Sequence, residues 1–165
     1  QHGVDVLDLG LDGPTPEKIR FRSDGRPLMR LDRGGRDGRP GDATGAVREA
    51  IRSAAAVLVS DYGRGVPAVG GVREALADRA AAATVWDPHP RGPAPVPGLL
   101  VVTPNESELR AFGAVTGLPV RLAHLNDRAA DLRTRWAAHA ICVTRGRSGA
   151  LLVRDGAPMA ASVWA

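Results

Sequence analysis

Cysteine is almost missing from this sequence: Cys142 stands alone among 165 residues. One thiol excludes an internal disulfide, which suits a reducing, cytoplasmic compartment. It lies in the short apolar run from Ala140 to Val143, where an inert core thiol is expected. Aromatic residues are also scarce, at 4%. The expected core is therefore aliphatic, built from Ala, Val and Leu. Lys18 is the only lysine among 22 Lys and Arg residues. That skew, with abundant Ala and Gly, reads as a coding bias rather than a binding surface. The arginines are scattered and few aromatics stand ready to stack on bases, so an Arg-rich nucleic-acid module has little support. No apolar run approaches the roughly 20 residues of a membrane helix. No secretory signal opens the chain. The four histidines lack metal-ligand spacing.

What is present is one domain's length of chain with 44% hydrophobic residues, enough for a core. The formal charge of +4 fits a mildly positive cleft for phosphorylated small molecules. Residues 14–34 read as a β-hairpin: Lys18, Arg20 and Arg22 alternate with Ile19 and Phe21, and Asp24-Gly25 supplies the turn. Charge at alternate positions makes one face wet, as in a flap. Gly34 to Gly45 reads as a loop. Residues 44–165 then read as an α/β body, in which helix followed by strand repeats four times. The expected helices run from Thr44 to Ala55, Pro67 to Ala82, from Asn105, and Leu125 to His139, with a turn over Gly113 to Pro119. The expected strands are Ala56–Val59, Thr84–Trp86, Leu99–Val102 and Ala140–Val143. Ala150–Val153 returns as a strand, with Met159–Trp164 as its hairpin partner. This pattern implies a mainly parallel open sheet with helices on both faces.

The stretch Val102-Thr103-Pro104-Asn105-Glu106-Ser107-Glu108 organises that body. Pro104 stops a strand and Asn105 begins a helix, with Glu108 in the capping-box position. A carboxylate at the carboxyl end of a strand can hold Mg2+ shared with substrate phosphates; a plain helix cap explains the same residues. Glu106 is expected to point elsewhere. Right-handed crossovers place the strand-end turns at Asp61, Asp87, Asn105 and Thr144 along one edge of the sheet. Asp61 before Tyr62-Gly63 and Asp87 before Pro88 also read as simple turn formers.

Several stretches together resemble the ribokinase-like (PfkB) family of sugar kinases, in the branch that acts on heptose 7-phosphate. They are Pro14 to Arg20 with Leu28 to Asp32, Ser60-Asp61-Tyr62-Gly63-Arg64-Gly65, Asp87-Pro88, Val102 to Glu108, and Val143-Thr144-Arg145-Gly146-Arg147-Ser148-Gly149. The resemblance implies that Asn105 and Glu108 organise Mg2+ and the ATP phosphates. It implies that Thr144, Gly146 and Gly149 lie along the nucleotide, their glycines allowing close backbone approach to phosphate. Lys18, Asp61, Asp87 and Arg91 would border the phosphorylated sugar. The hairpin resembles the family's lid, which often joins two subunits. The expected activity is phosphorylation of the anomeric hydroxyl of D-glycero-D-manno-heptose 7-phosphate.

The chain departs from the family in two ways. It contains no Gly-Ala-Gly-Asp turn, the family's source of a general base, so it assigns no catalytic residue and reads as truncated at both ends. His89 stands where the branch has lysine, with Arg91 as a substitute positive charge. An inactive nucleotide-binding remnant and another PfkB-type sugar kinase are the alternative readings.

Overall fold

A computed structural model describes residues 3–34, 38–79, 83–113 and 122–162. Two small β pairs precede the body. Strands β1 (Leu11–Asp12) and β4 (Arg39–Pro40) pair antiparallel, inside what the sequence presents as loop. Strands β2 (Glu17–Ser23) and β3 (Arg26–Arg33) form the expected hairpin. Its two-residue turn has positive φ at both Asp24 and Gly25, the geometry that matches strand twist. Register puts Ile19 opposite Leu31 and Phe21 opposite Met29 on one face. Lys18 opposite Asp32 and Arg20 opposite Arg30 occupy the other.

The body is a six-stranded sheet built from β5 (Ala56–Ser60), β6 (Ala83–Asp87), β7 (Val101–Val102), β8 (Ala140–Thr144), β9 (Ala150–Val153) and β10 (Met159–Ala161). The order across it is β10-β9-β8-β7-β6-β5. The pairs from β5 to β8 are parallel, while β9 and β10 add antiparallel. The helices are α1 (Gly45–Ser53), α2 (Gly70–Ala77), α3 (Glu106–Phe112) and α4 (Leu122–Arg135). The α/β class and the mainly parallel sheet are those expected; the expected helices on both faces are not, since among the described residues all four helices join the core on one face.

Several boundaries differ from the sequence reading. The expected helix from Pro67 divides into a 3-10 turn, Val66–Ala68, and α2, with Val69 extended between them. Gly70-Gly71 explains the break, since paired glycines weaken a continuous helix. Ala80, Val163 to Ala165 and most of the turn expected over Gly113 to Pro119 lie outside the described residues. Helix α4 begins three residues before Leu125 and stops short of His139, where Ala137 takes φ 47. No helix precedes β7: residues 88–100 run irregularly, as five prolines from Pro88 to Pro97 require.

Register sorts the core. Val57, Val59, Trp86, Val102, Ile141 and Val153 share one sheet face and join a single cluster with Val47 of α1, Leu76 of α2, Leu109 of α3 and Leu132 of α4. The expectation of a purely aliphatic core fails here. Trp86 is fully buried, and Phe112 meets Trp136 edge-on at 5.1 Å between ring centroids. The opposite face carries Leu58, Val85, Val101, Cys142, Leu152 and Met159. Leu58 is 69% exposed and Met159 55%, while the other four are half-buried. Cys142 therefore sits outside the core cluster that the sequence assigned to it. Among the described residues, no helix is long and apolar enough to cross a membrane.

Candidate active site at the carboxyl edge of the sheet

The ends of the parallel strands are tied together by a row of hydrogen bonds. Asp61 N donates to Asp87 O at 2.9 Å, joining the ends of β5 and β6. Thr103 Oγ1 donates to Asp87 Oδ1 at 3.2 Å, and Thr103 N to Trp86 O at 2.9 Å. Asn105 and Thr144 form a parallel bridge, and Thr144 N donates to Pro104 O at 3.0 Å. The four predicted turns thus lie along one edge.

Asn105 caps α3 as its residue type and spacing predict. Its Oδ1 accepts from Ser107 N at 2.9 Å and from Glu108 N at 3.0 Å. Glu108 Oε2 accepts in return from Asn105 N at 2.8 Å, completing the capping box. The second oxygen of Glu108 has no hydrogen bond among the described residues. Those residues contain no group of three His, Cys, Asp or Glu able to form a metal cage. The spare Glu108 oxygen fits Mg2+, which keeps several waters and is shared with phosphate oxygens; Asn105, predicted beside it as a ligand, has its oxygen committed to the cap and only its NH2 donors left.

Across the bridge, β8 ends at Thr144 and a 3-10 turn spans Gly146–Ser148. The two loop glycines differ in kind. Around Gly146 (φ 54) a Cβ would meet open space. At Gly149 (φ 82) a Cβ would come to 1.8 Å from Ala161 O, because the end of β10 crosses the loop there. Arg145 Nε donates to Glu106 Oε1 at 2.8 Å. Glu106 therefore points to the loop after β8 and not to the spare oxygen of Glu108.

The predicted sugar-side residues divide into two groups. Lys18 and Arg91 line a cavity of about 400 Å³, together with Glu17, Arg30, Asp32, Tyr62, Arg64 and His89. The hairpin's charged face forms one wall and the turns after β5 and β6 the other. Asp32 is held below the usual carboxylate range, first by the hydrogen bond from Arg30, whose Nε lies 3.1 Å away. The same contact raises the Arg30 guanidinium. Asp61 and Asp87 are not among the residues that line this cavity. Asp61 is buried; its Oδ1 accepts from Gly63 N at 2.7 Å, and its Oδ2 has no partner among the described residues. A Cβ on Gly92 would fall 1.6 Å from that Oδ2, so the turn after β6 presses its backbone on the Asp61 carboxylate. His89 Nδ1 accepts from Arg91 N at 3.1 Å, which makes His89 a brace for the Arg91 turn.

Tyr62, Arg64, Arg30 and His89 were not singled out as site residues. Tyr62 and Arg64 belong to the stretch Ser60 to Gly65, and Arg30 to the stretch Leu28 to Asp32. Nothing local to either segment revealed that they face each other.

No protein-family model matches the chain. It is 49% identical over 150 residues to the bifunctional protein HldE of Streptomyces coelicolor, covering 89% of this chain and 31% of the relative. It is 34% identical over 147 residues to the bifunctional protein HldE of Edwardsiella ictaluri, covering 87% and 30%. Arabidopsis thaliana ribokinase complexed with ribose and ATP superposes with a TM-score of 0.65 at 21% identity, covering 92% of this chain and 49% of that one. The chain thus spans about 31% of the length of the first of these curated relatives.

Proposed function

Because the chain is homologous to a stretch of the HldE proteins and carries the ribokinase-like fold, we propose that it forms part of a PfkB-type carbohydrate kinase. The reaction is ATP-dependent phosphorylation of the anomeric hydroxyl of D-glycero-D-manno-heptose 7-phosphate. The bond from the γ-phosphorus to its bridging oxygen breaks, a bond to the sugar oxygen forms, the hydroxyl proton is released, and ADP leaves. One observation carries this reading: the Asn105–Glu108 turn, the Thr144–Gly149 loop and a cation-lined cavity share one sheet edge.

Each part has a stated task. Glu108 would hold Mg2+ through its spare oxygen, with Asn105 capping the turn that presents it, and the ion would offset charge on the nucleotide phosphates. Thr144, Gly146 and Gly149 lie along the nucleotide. Lys18 and Arg91, with Arg64 beside them, draw the sugar's phosphate into the cavity, while Asp61 and Asp87 brace the turns after β5 and β6. The hairpin covers the sugar with its charged face. Its other face leaves Phe21 44%, Met29 56% and Leu31 42% exposed, which supports a homodimer closed through this lid. A cytoplasmic setting agrees with the lone thiol. The cations select a phosphorylated sugar without choosing heptose over other sugar phosphates.

A second reading is nucleotide binding without turnover. Calorimetry with ATP and Mg2+ beside a coupled ADP-release assay on heptose 7-phosphate separates the two. Binding with turnover supports the kinase, binding alone supports the second reading, and no binding rejects both.

A further inference from the structure

Glu106 and Arg145 are 39 residues apart in sequence and meet at 2.8 Å. Their side chains are only 27% and 22% exposed. Glu106 is the first residue of α3, inside the turn capped by Asn105 and Glu108. Its Oε2 also accepts from Arg110 Nη2 at 3.2 Å, one turn along the helix. Arg145 opens the glycine loop. Its backbone N donates to Gly149 O at 2.9 Å and its carbonyl accepts from Ser148 N at 3.0 Å. Its guanidinium reaches Ser148 O at 3.5 Å through Nη1.

We propose that Glu106 and Arg145 are positioning residues, a strut that fixes the loop 145–149 against the first turn of α3. The bridge between Asn105 and Thr144 aligns the two chains only up to the end of β8. Beyond Thr144 the loop leaves the sheet, and a charged side chain from each partner continues the alignment. Partial burial keeps the pair less screened than an open surface pair. An ordinary surface ion pair has little effect on either partner's backbone. This one lies between two segments assigned to the metal and to the nucleotide. The functional consequence rests on that assignment: a strut of fixed length sets how well one Mg2+–nucleotide complex touches both segments at once. Disturbing it should lower the thermodynamic coupling between Mg2+ and nucleotide more than it lowers stability.

The test has two readouts on the full chain. The first needs no ligand: amide hydrogen exchange at Ser148 and Gly149, in Glu106→Gln, Arg145→Met and the double variant. The strut predicts exchange at least about fivefold faster in each single variant, with no further gain in the double. Exchange at Ser107 and Glu108, held by the Asn105 cap, should stay unchanged. The second is ATP affinity with and without Mg2+. The affinity gain from Mg2+ should fall about fivefold or more in each single variant, at the lower end of site-to-site couplings. A purely structural role would weaken binding equally with and without Mg2+. Unchanged exchange at Ser148 and Gly149 overturns the strut. Faster exchange with an unaltered Mg2+ effect overturns its functional part. If the unmodified chain binds no ATP, the nucleotide reading fails, and the exchange data alone still uphold or reject the strut.

Discussion

Glu108 divides its carboxylate between two tasks. One oxygen returns to Asn105 N at 2.8 Å and closes the cap; the other is spared. Glutamine can keep the first task through its carbonyl oxygen while losing the charge needed for the second. Glu108→Gln in the complete protein should therefore leave the melting temperature nearly unchanged, raise the Mg2+ requirement and lower turnover strongly. Glu108→Ala loses the cap as well, and should cost about 1 kcal/mol of stability. A titration of activity against Mg2+, beside a thermal melt, checks both; normal turnover at limiting Mg2+ would leave Glu108 a helix cap only. This residue was legible because its signal is local, an Asn and a Glu three apart after a proline. The contact of Glu106 is not legible in the same way. Its partner Arg145 is remote in sequence, and a charge in a first helical turn looks alike whether it meets solvent or a loop. Asp61 was read as turn former or site border; its burial behind Gly92 depends on a segment some thirty residues downstream.

At the scale of elements, the loop after β8 and the strand β10 constrain each other. Gly149→Ala would drive a methyl into Ala161 O and strain a positive φ at the same time. It should displace β10 and cost more than the roughly 1–2 kcal/mol of left-handed strain alone. Gly146→Ala meets open space, so only that strain remains. Urea unfolding of the two variants gives the difference directly, and equal midpoints would mean that β10 does not press on the loop in solution. Element types were largely readable: apolar runs gave β5 to β9, and Asp-Gly gave the hairpin. Boundaries were less so. Gly70-Gly71 broke a helix that its apolar spacing appeared to continue, and Leu11–Asp12 found Arg39–Pro40 without any period-two pattern.

Over the whole molecule, the two faces of the sheet differ in cover. The face of Trp86 and Ile141 is packed by helices, while the other leaves Leu58 and Met159 exposed and Val85, Val101, Cys142 and Leu152 half-buried. A short apolar run cannot say which of its two faces is covered, so Cys142 read as core. The thiol reports on the less covered face. Partial burial pushes it above its ordinary range by disfavouring the thiolate. The fold then favours the protonated thiol. That contribution is fully present below the unfolded thiol's pKa and is lost as pH rises through the folded value. Stability should decline on the alkaline side for this group. Iodoacetamide should alkylate Cys142 more slowly at neutral pH than it does a peptide thiol, with the midpoint of the pH–rate profile displaced upward. A rate equal to that of a free peptide thiol would show that the face opens further in solution.

The strand order has a consequence in time. From β5 to β10, each strand's neighbour in the sheet is also its neighbour in the chain. During synthesis every newly emerged strand would find its pairing edge already waiting, with no distant segment needed to complete it. Contacts of this kind keep loop closure short and favour rapid, sequential assembly over a search among remote partners. Growth adds each strand at one advancing edge. Among the described residues β5 pairs on one side only, with β6.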